Sequence, residues 1–351
     1  MSTAVEAPSA APSGPTTSRR PSLARAEVHR LRSRRLVRLL VALSALLFLG
    51  GLVLAHLEYA QTSASVLADA GERRQAALEE QQGYHEQCLA APVPPDVPGG
   101  ATPEQLCGPA PTLEQLGSVE DFLDERPFTL DEDGRGGLVA VATATAGLAF
   151  LLGATYVGAE WSTRSMVALL FWEPRRLKVM GTKLAVLAGA SALLAVVSQA
   201  VWLLVARVSL APTRGTTDVP DGTWGELVAA SGRGVVLVVL FGLLGFGIAN
   251  LLRGTAASFG FAFVWFVIAE NLLRGLVPPL RPYLLTENAA ALLTQGGTTV
   301  YVDENAFDAS GALDTSGEVV VSNLQGGLVL TAVVAAVVAL GVLLFARRDL
   351  D

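Results

Sequence analysis

Six apolar stretches without a charged side chain constrain this sequence more than any other feature. The hydrocarbon core of a bilayer is ~30 Å thick, and a helix needs about 20 residues to cross it. Backbone amides inside hydrocarbon must bond within their own segment, so such stretches fold as helices. We therefore predict an all-α, polytopic membrane protein with six transmembrane helices. The stretches lie at 39–57, 136–159, 184–206, 234–252, 254–269 and 319–346, and the fifth is short because Glu270 and Asn271 interrupt it.

The charges of the chain are few and unevenly placed. Hydrophobic residues make up 51% of the sequence and charged residues 16%, which is typical of a membrane protein rather than of a soluble domain. With the N-terminus in the cytoplasm, sixteen of the 25 basic residues face that side, and eight of them precede or include Arg38. Basic short loops are retained in the cytoplasm. The pattern predicts a multi-pass protein of the cell membrane with both termini in the cytoplasm.

This topology divides the chain into alternating membrane and external parts. The first apolar stretch is longer than the core of a secretory signal, and no convincing cleavage site follows it, so a retained helix is favoured over a cleaved signal peptide. The predicted parts are a disordered cytoplasmic tail at 1–35, a first transmembrane helix at 36–57, an external loop domain at 58–135, transmembrane helices two to five at 136–273, an external loop at 274–323, a sixth helix at 324–346 and a cytoplasmic tail at 347–351.

The two cysteines of the chain, Cys88 and Cys107, lie in the external loop domain. Because that side of the membrane is oxidising, we expect them to form one disulfide. Closing a loop of this length stabilises a fold by ~3 kcal/mol in the chain-entropy model. A metal site is disfavoured, because His85 alone lies nearby and four ligands are usual.

Regular secondary structure is also predicted outside the membrane. Threonines followed by an acidic first turn indicate two short helices, and β-branched runs indicate strands. Proline breaks in an apolar segment indicate a chain that lies at the outer interface. The predicted elements are helices at 66–87, 102–106 and 112–123, an interfacial segment at 276–293, and a β-hairpin of 298–303 with 318–322.

Glu270 and Asn271 are the polar residues that interrupt the fifth stretch. Ionisable residues in transmembrane segments are functional candidates. Two interpretations of Glu270 stay open. It lies ~24 Å along its helix, near the outer interface, where it can pair with Arg274 four residues later. Alternatively, Glu270 and Asn271 line a transport path.

Catalytic motifs are absent from the sequence. It contains no phosphate-binding loop, no His-Glu-x-x-His helix and no Gly-x-Ser-x-Gly elbow, and its three histidines are scattered. A membrane-embedded enzyme would need a cluster of polar residues at one depth of the membrane. Glu270 and Asn271 alone do not make such a cluster. We predict no catalytic residue, no metal site, no cofactor bound by this chain and no nucleic-acid partner.

The link between the second and third stretches carries the most specific pattern. We predict an interfacial helix at 160–173 on the cytoplasmic face, which opens with an ion pair of Glu160 and Arg164 and ends before Pro174. Its apolar face lies along the membrane, cations follow at headgroup level, and a lysine begins the next crossing. The residues of the pattern are Glu160, Trp161, Arg164, Met166, Leu169, Leu170, Trp172, Pro174, Arg175, Arg176, Lys178 and Lys183.

This ordered series, from Glu-Trp through Leu-Leu and Pro-Arg-Arg to Lys183, resembles the coupling helix of permease subunits in the type-2 export family of ABC transporters. The glycine-rich segment 241–257 is similar to that family's fourth helix, tight turn and start of the fifth helix. Residues 345–349, Phe-Ala-Arg-Arg-Asp, resemble its aromatic-x-Arg-Arg-Asp ending. Two departures from the family are Phe-Trp-Glu at 171–173, where small or polar residues are usual, and the long external domain with two cysteines.

The resemblance implies a transport subunit rather than an enzyme. It implies two partners, namely a cytoplasmic ABC ATPase subunit, which binds ATP and Mg, and a second permease subunit, identical or related, in the lipid bilayer. The coupling interface would transmit force from the ATPase. It would consist of Glu160, Trp161, Arg164, Leu169, Leu170, Pro174, Arg175, Arg176 and Lys183. The alternative function is a non-transporting membrane scaffold or sensor with a ligand-binding ectodomain.

Overall fold

The computed structural model of the protein describes residues 23–59, 62–92, 102–163, 165–211, 219–302 and 317–347. Within these residues, six helices are long and apolar enough to cross a membrane, which confirms the predicted all-α, polytopic fold. The α-helices are α1 (Leu23–Ser33), α2 (Arg35–Glu58), α3 (Ala64–Ala90), α4 (Pro103–Cys107), α5 (Asp133–Ser162), α6 (Ser165–Trp172), α7 (Arg176–Val205), α8 (Thr223–Leu252), α9 (Thr255–Phe263), α10 (Glu270–Leu276), α11 (Leu285–Leu293) and α12 (Asn323–Arg347).

Two π-helical segments extend the spans. Ala206–Leu210 continues α7, and Val264–Ala269 joins α9 to α10, so that Thr255–Leu276 forms one span. The six spans are α2, α5, α7, α8, Thr255–Leu276 and α12. The sixth begins at Asn323, within one residue of the predicted start at 324, because the apolar residues just before it form a β-strand.

Helices α5 and α8 pack closely and form the centre of the bundle. A Cβ atom at Gly153 would collide with the backbone oxygen of Gly242, and one at Gly245 with the backbone oxygen of Phe150. Small residues allow the two helices to approach this closely. Inside a membrane the hydrophobic effect does not drive helices together, so van der Waals contact between them stabilises the pair. Helices α7 and α12 pack around this pair, whereas α2 and the span Thr255–Leu276 lie at the periphery and expose most of their side chains.

Helix α1 corrects the prediction of a disordered tail at 1–35. Residues 23–33 are helical, pack against α7, and bury Glu27 and Leu31. The composition rich in Ala, Pro, Ser and Thr belongs to residues 1–22, which lie outside the described residues. The prediction was wrong for α1 because distant residues of α5 and α7 hold this helix in place.

The external loop domain contains the predicted disulfide between Cys88 and Cys107, which joins α3 to α4. Helix α4 begins with a capping box of Thr102 and Gln105, as its sequence predicts. The helix predicted at 112–123 is absent from the described chain. A turn and the short 3₁₀-helix Val119–Phe122 take its place, because Gly117 between them adopts a φ of +86°, which an α-helix does not accommodate.

The segment after the fifth span folds back onto the bundle. A 3₁₀-helix, Pro278–Tyr283, leads into α11, which packs against α12 and α8. Strands β1 (Thr298–Tyr301) and β2 (Glu318–Val321) then pair antiparallel and form the predicted hairpin. The hairpin and the disulfide lie at the end of the bundle opposite to α6, since α5 and α12 run between the two ends.

Candidate functional site at the basic end of the bundle

The C-terminal ends of α5, α8 and α12 meet the start of α7 at one end of the bundle, which we call the basic end. Four charged residues form a buried ion network there, Glu27, Arg34, Glu160 and Lys183. The Nζ atom of Lys183 lies 2.8 Å from a carboxylate oxygen of Glu27 and 2.8 Å from one of Glu160. Arg34 reaches Glu160 at 2.6 Å. Lys183 is completely buried, and both carboxylates are nearly so.

Tyr156 lies at the centre of this network. Its hydroxyl donates to Glu27 at 2.6 Å, and the cations of Arg34 and Lys183 lie 5.3 and 5.0 Å from the centroid of its ring. Arg34 also donates to the backbone oxygens of Thr155 and Tyr156 in α5. Arg30, which is partly exposed, adds an ion pair to Glu27 at 3.2 Å, so the two buried carboxylates are balanced by Lys183, Arg34 and Arg30, as burial of charge requires. The network therefore fastens α1, α5 and α7 together.

Glu27 is held in its ionised form. Burial disfavours the charge of its carboxyl group, but the charge of Lys183 and the hydrogen bonds from Lys183 and Tyr156 outweigh this effect, so the pKa of Glu27 lies below its ordinary value of 4.5. A lowered pKa means that the ionised group stabilises the fold above that value, and that this contribution is lost as the pH falls through the lower pKa of the folded protein. The α1 contact is thus intact at neutral pH.

Glu160 and Lys183 were predicted to lie on an exposed coupling interface, and the structure buries both. The helix predicted at 160–173 begins only at Ser165, because α5 continues to Ser162 before the chain turns. Glu160 therefore lies in the last turns of α5, where it faces Arg34 and Lys183 rather than a partner. The predicted ion pair with Arg164 is not addressed, since Arg164 lies outside the described residues.

Trp161 and Arg176 anchor the end of α12. The indole N–H of Trp161 donates to the Asn250 side chain at 3.1 Å, and its ring meets that of Phe345 edge-on at 5.9 Å. Arg176 donates to the backbone oxygens of Phe345 and Ala346 at 3.1 and 3.3 Å. A cation is favourable at these terminal carbonyls of a helix. Both side chains thus join helices inside the protein.

Helix α6 has one buried and one exposed side. Met166 and Leu169 belong to the core of the bundle, and Leu170 packs against that core. Phe171 on the other side is 85% exposed. The apolar stripe predicted from the sequence therefore faces the bundle, and the helix presents an aromatic side chain outward.

An extended, charged segment follows α6. Pro174 and Arg175 are exposed, whereas Glu173 accepts a hydrogen bond from Lys178 at 2.6 Å. That bond lowers the pKa of Glu173. Among the described residues of the predicted coupling interface, Pro174 and Arg175 are the two that are fully accessible to a partner.

Glu270 caps a helix at the opposite end of the bundle. Its carboxylate accepts the backbone N–H groups of Leu285 and Thr286 at 3.1 and 3.0 Å, the hydroxyl of Thr286 at 2.5 Å, and the indole N–H of Trp265 at 3.0 Å. The two backbone groups begin α11 and have no partner within that helix. Glu270 therefore acts as a helix cap supplied from another element.

The predicted pairing of Glu270 with Arg274 is wrong. Arg274 forms an ion pair with Glu287 at 2.9 Å, because the Glu270 carboxylate is turned towards the start of α11. Asn271 donates to the backbone oxygen of Val267 at 3.0 Å and is exposed. All contacts of Glu270 are internal, which favours a structural role, and a transport path at Glu270 and Asn271 stays a prediction.

Sequence reasoning did not bring Glu27, Arg34 and Tyr156 into one site. The one local signal was an acid, Glu27, inside a strongly basic segment. In the described part of the chain, no three histidine, cysteine or acidic residues come together as ligands for a metal ion.

Comparisons of the chain with protein-family models, with curated proteins and with solved structures found no match. The fold and the basic end therefore define the class of protein by themselves. It is an all-α membrane protein with six apolar spans, a buried ion network and a short helix that exposes an aromatic side chain.

Proposed function

We propose that this protein is the membrane-spanning permease subunit of an ATP-driven ABC exporter, in which a separate cytoplasmic ATPase binds ATP and Mg. The observation that carries the proposal is α6, a short helix between the second and third spans that buries one side in the bundle and exposes Phe171 on the other. The resemblance of 160–183, 241–257 and 345–349 to type-2 export permeases supports the same assignment.

The contacts of α6 provide a route for force. Met166 belongs to the core cluster and Leu169 is buried, so pressure on the exposed side of α6 acts directly on packed side chains. Packed cores and interfaces shift between discrete arrangements rather than deforming continuously. Glu160 and Lys183 tie α5 and α7 to α1, so these helices would move together. In this mechanism no residue of the chain makes or breaks a covalent bond.

A second permease subunit is proposed to cover part of the periphery. The spans α2 and Thr255–Leu276 expose most of their apolar side chains, which need either lipid or protein against them. Two such bundles would enclose a path between them, and both termini of each chain would lie in the cytoplasm of the cell.

Association with a co-expressed candidate ABC ATPase tests the proposal. Phe171→Ser removes the exposed aromatic group of α6, and Arg175→Gln removes the exposed cation that follows it. An aromatic anchor at an interface is commonly worth about 2 kcal/mol, or roughly 30-fold in Kd. We expect both variants to insert normally, since the apolar spans carry the topology. Phe171→Ser should lose co-purification of the ATPase and substrate-stimulated ATP hydrolysis.

Tyr84→Ser is the matched control, because Tyr84 is an exposed aromatic residue of α3 at the other end of the bundle. Glu160→Ala is unsuitable as a test, since it breaks the buried ion network. Unchanged ATPase association and ATP hydrolysis in both Phe171→Ser and Arg175→Gln would contradict the proposed function.

A scaffold or sensor is the second candidate, and α3 is the observation that favours it. This helix of 27 residues is linked to α4 by the disulfide and exposes Tyr84, as expected of a surface that binds a ligand. The same variants separate the two functions. Loss of ATPase association and of ATP hydrolysis in Phe171→Ser, with both retained in Tyr84→Ser, supports export. Retention of both in Phe171→Ser, with a loss of ligand binding in Tyr84→Ser, supports sensing.

A further inference from the structure

A cavity of about 270 Å³ lies between α8, the span Thr255–Leu276, α11 and α12. Its lining is apolar or aromatic, and the one polar side-chain atom among the lining residues, the indole nitrogen of Trp265, is bonded to Glu270. Unpaired polar groups would be costly in such a space, so it suits a hydrocarbon ligand. Lining residues include Leu252, Phe261, Trp265, Leu285 and Val333.

Along the fifth span, the lining of the cavity covers at least the depth of one membrane leaflet. It starts beside Leu252, the last residue of α8 at the basic end, and reaches Trp265, which lies about ten residues beyond the start of α9. Ten helical residues rise ~15 Å, half of the ~30 Å hydrocarbon core. Leu285, the first residue of α11, lines the cavity on the side of Glu270, to which its N–H is bonded.

The aromatic wall of the cavity lies partly on a π-helical segment. Trp265 and Phe266 belong to Val264–Ala269, and such segments are frequent at functional sites. Trp265 stacks on Phe261 with their centroids 6.2 Å apart, and Phe266 stacks on Phe241 at 6.0 Å.

Arg253 directly follows Leu252, the lining residue at the basic end of the cavity. It is exposed, and within the described chain it pairs with no carboxylate, while its guanidinium lies 5.3 Å from the centroid of the Trp161 ring. Arg253 has a φ of 54°, the one positive value at a described residue other than glycine. Glycine adopts this conformation at a lower cost. A cation therefore occupies a backbone position that favours glycine.

We propose that this cavity binds an acyl chain of an anionic phospholipid from the leaflet at the basic end, with the phosphate of the headgroup at Arg253. The apolar lining, which covers at least the depth of one leaflet along the fifth span, fits an acyl chain, and the exposed cation next to Leu252 favours a headgroup with a negative charge. The inference does not rest on the proposed transport function. The bound chain would hold the peripheral span Thr255–Leu276 against α8 and α12.

Photocrosslinking of the full-length protein in phosphatidylcholine vesicles tests the site. Two vesicle preparations are compared, one with a photoactivatable phosphatidylglycerol and one with a photoactivatable phosphatidylcholine, at the same amount of probe. Crosslinks are mapped by mass spectrometry. We expect residues 244–266 to be labelled about fivefold more by phosphatidylglycerol, the preference that one surface cation confers. The exposed apolar face of α7 at 193–204 reports contact with bulk lipid.

Three variants test which residues cause the labelling of 244–266 and the preference for phosphatidylglycerol. Arg253→Gln should abolish the preference for phosphatidylglycerol and keep the labelling by phosphatidylcholine. Val333→Phe, which fills the cavity, should reduce labelling of 244–266 by both lipids. Arg38→Gln removes an exposed cation elsewhere at the basic end. This variant should change neither the labelling of 244–266 nor the preference for phosphatidylglycerol. Equal labelling of 244–266 by the two lipids, labelling no higher than at 193–204, or a preference that persists in Arg253→Gln would overturn the proposal.

Discussion

Two lysines of one short segment show how burial decides what a residue does. Lys178 is half exposed and pairs with Glu173, whereas Lys183 is fully buried between Glu27 and Glu160. An exposed ion pair gains little because water screens it. Removing one member of a buried network leaves charges without compensation. The local sequence around the two lysines gives no hint of this difference.

The first prediction compares these lysines. Lys183→Met should lower the free energy of unfolding by about 3 kcal/mol, because it removes the one fully buried cation that contacts both Glu27 and Glu160. Lys178→Met should change it by about 1 kcal/mol or less. Unfolding of both variants in detergent, followed by circular dichroism, measures the difference. Equal effects would show that Lys183 is not the centre of a buried network.

The second prediction concerns Tyr59, which is buried at the end of α2. Burial, followed by the nearby charge of Asp133, raises the pKa of Tyr59 from 10.0 to about 12. The neutral phenol therefore stabilises the fold fully below pH 10, and this contribution is lost as the pH rises towards 12. The tyrosinate absorbance that disappears in Tyr59→Phe should titrate near 12. A difference titration centred near 10 would show that Tyr59 is solvated.

At the scale of elements, the contact between α5 and α8 determines how the spans are arranged. Glycines on both helices let backbone meet backbone at Gly153 and at Gly245. Such contacts leave no room for a side chain. Gly136 and Gly147 of α5 have open space around them, so the position of a glycine along the helix, rather than the number of glycines, decides where the backbones meet.

The third prediction uses this contrast. Gly153→Ala places a methyl group against the backbone of Gly242 and should cost about 1–3 kcal/mol by overpacking. Gly147→Ala is the matched control on the same helix, because nothing lies within 4 Å of its Cβ position, and it should not destabilise. Thermal unfolding in detergent compares the two variants. A stable Gly153→Ala protein would mean that α5 and α8 lie further apart.

At the scale of the whole molecule, the distribution of charge predicts which end faces the cytoplasm. The basic end gathers cations from the N-terminal segment, the link 160–183, the turn at Arg253 and the C-terminus. The disulfide domain and the β-hairpin lie at the other end. The positive-inside rule therefore predicts that the basic end faces the cytoplasm.

The fourth prediction tests this orientation. A cysteine introduced at Thr112 should react with an impermeant thiol reagent added to intact cells, and one at Ser165 should react only after permeabilisation. The native cysteines should stay silent, since they are joined in a disulfide. Labelling of the Ser165 position in intact cells would reverse the topology.

The sequence by itself determined the features that depend on local chemistry. Hydropathy predicts six spans because hydrocarbon forces each apolar segment to satisfy its own backbone. The capping box at Thr102 and Gln105 and the β-hairpin follow from neighbouring residues in the same way. The disulfide was predictable because the chain contains only Cys88 and Cys107.

Only the tertiary structure decided which charges are exposed and which are buried. Glu27 lies 129 residues from Tyr156 and 156 from Lys183, so no local pattern relates them. The same holds for Glu270, which caps a helix that begins 15 residues later, although a partner four residues away was available. A charged side chain in a low-dielectric interior is held by whichever opposite charge or N–H group the packed helices bring to it, and sequence distance does not enter that energy.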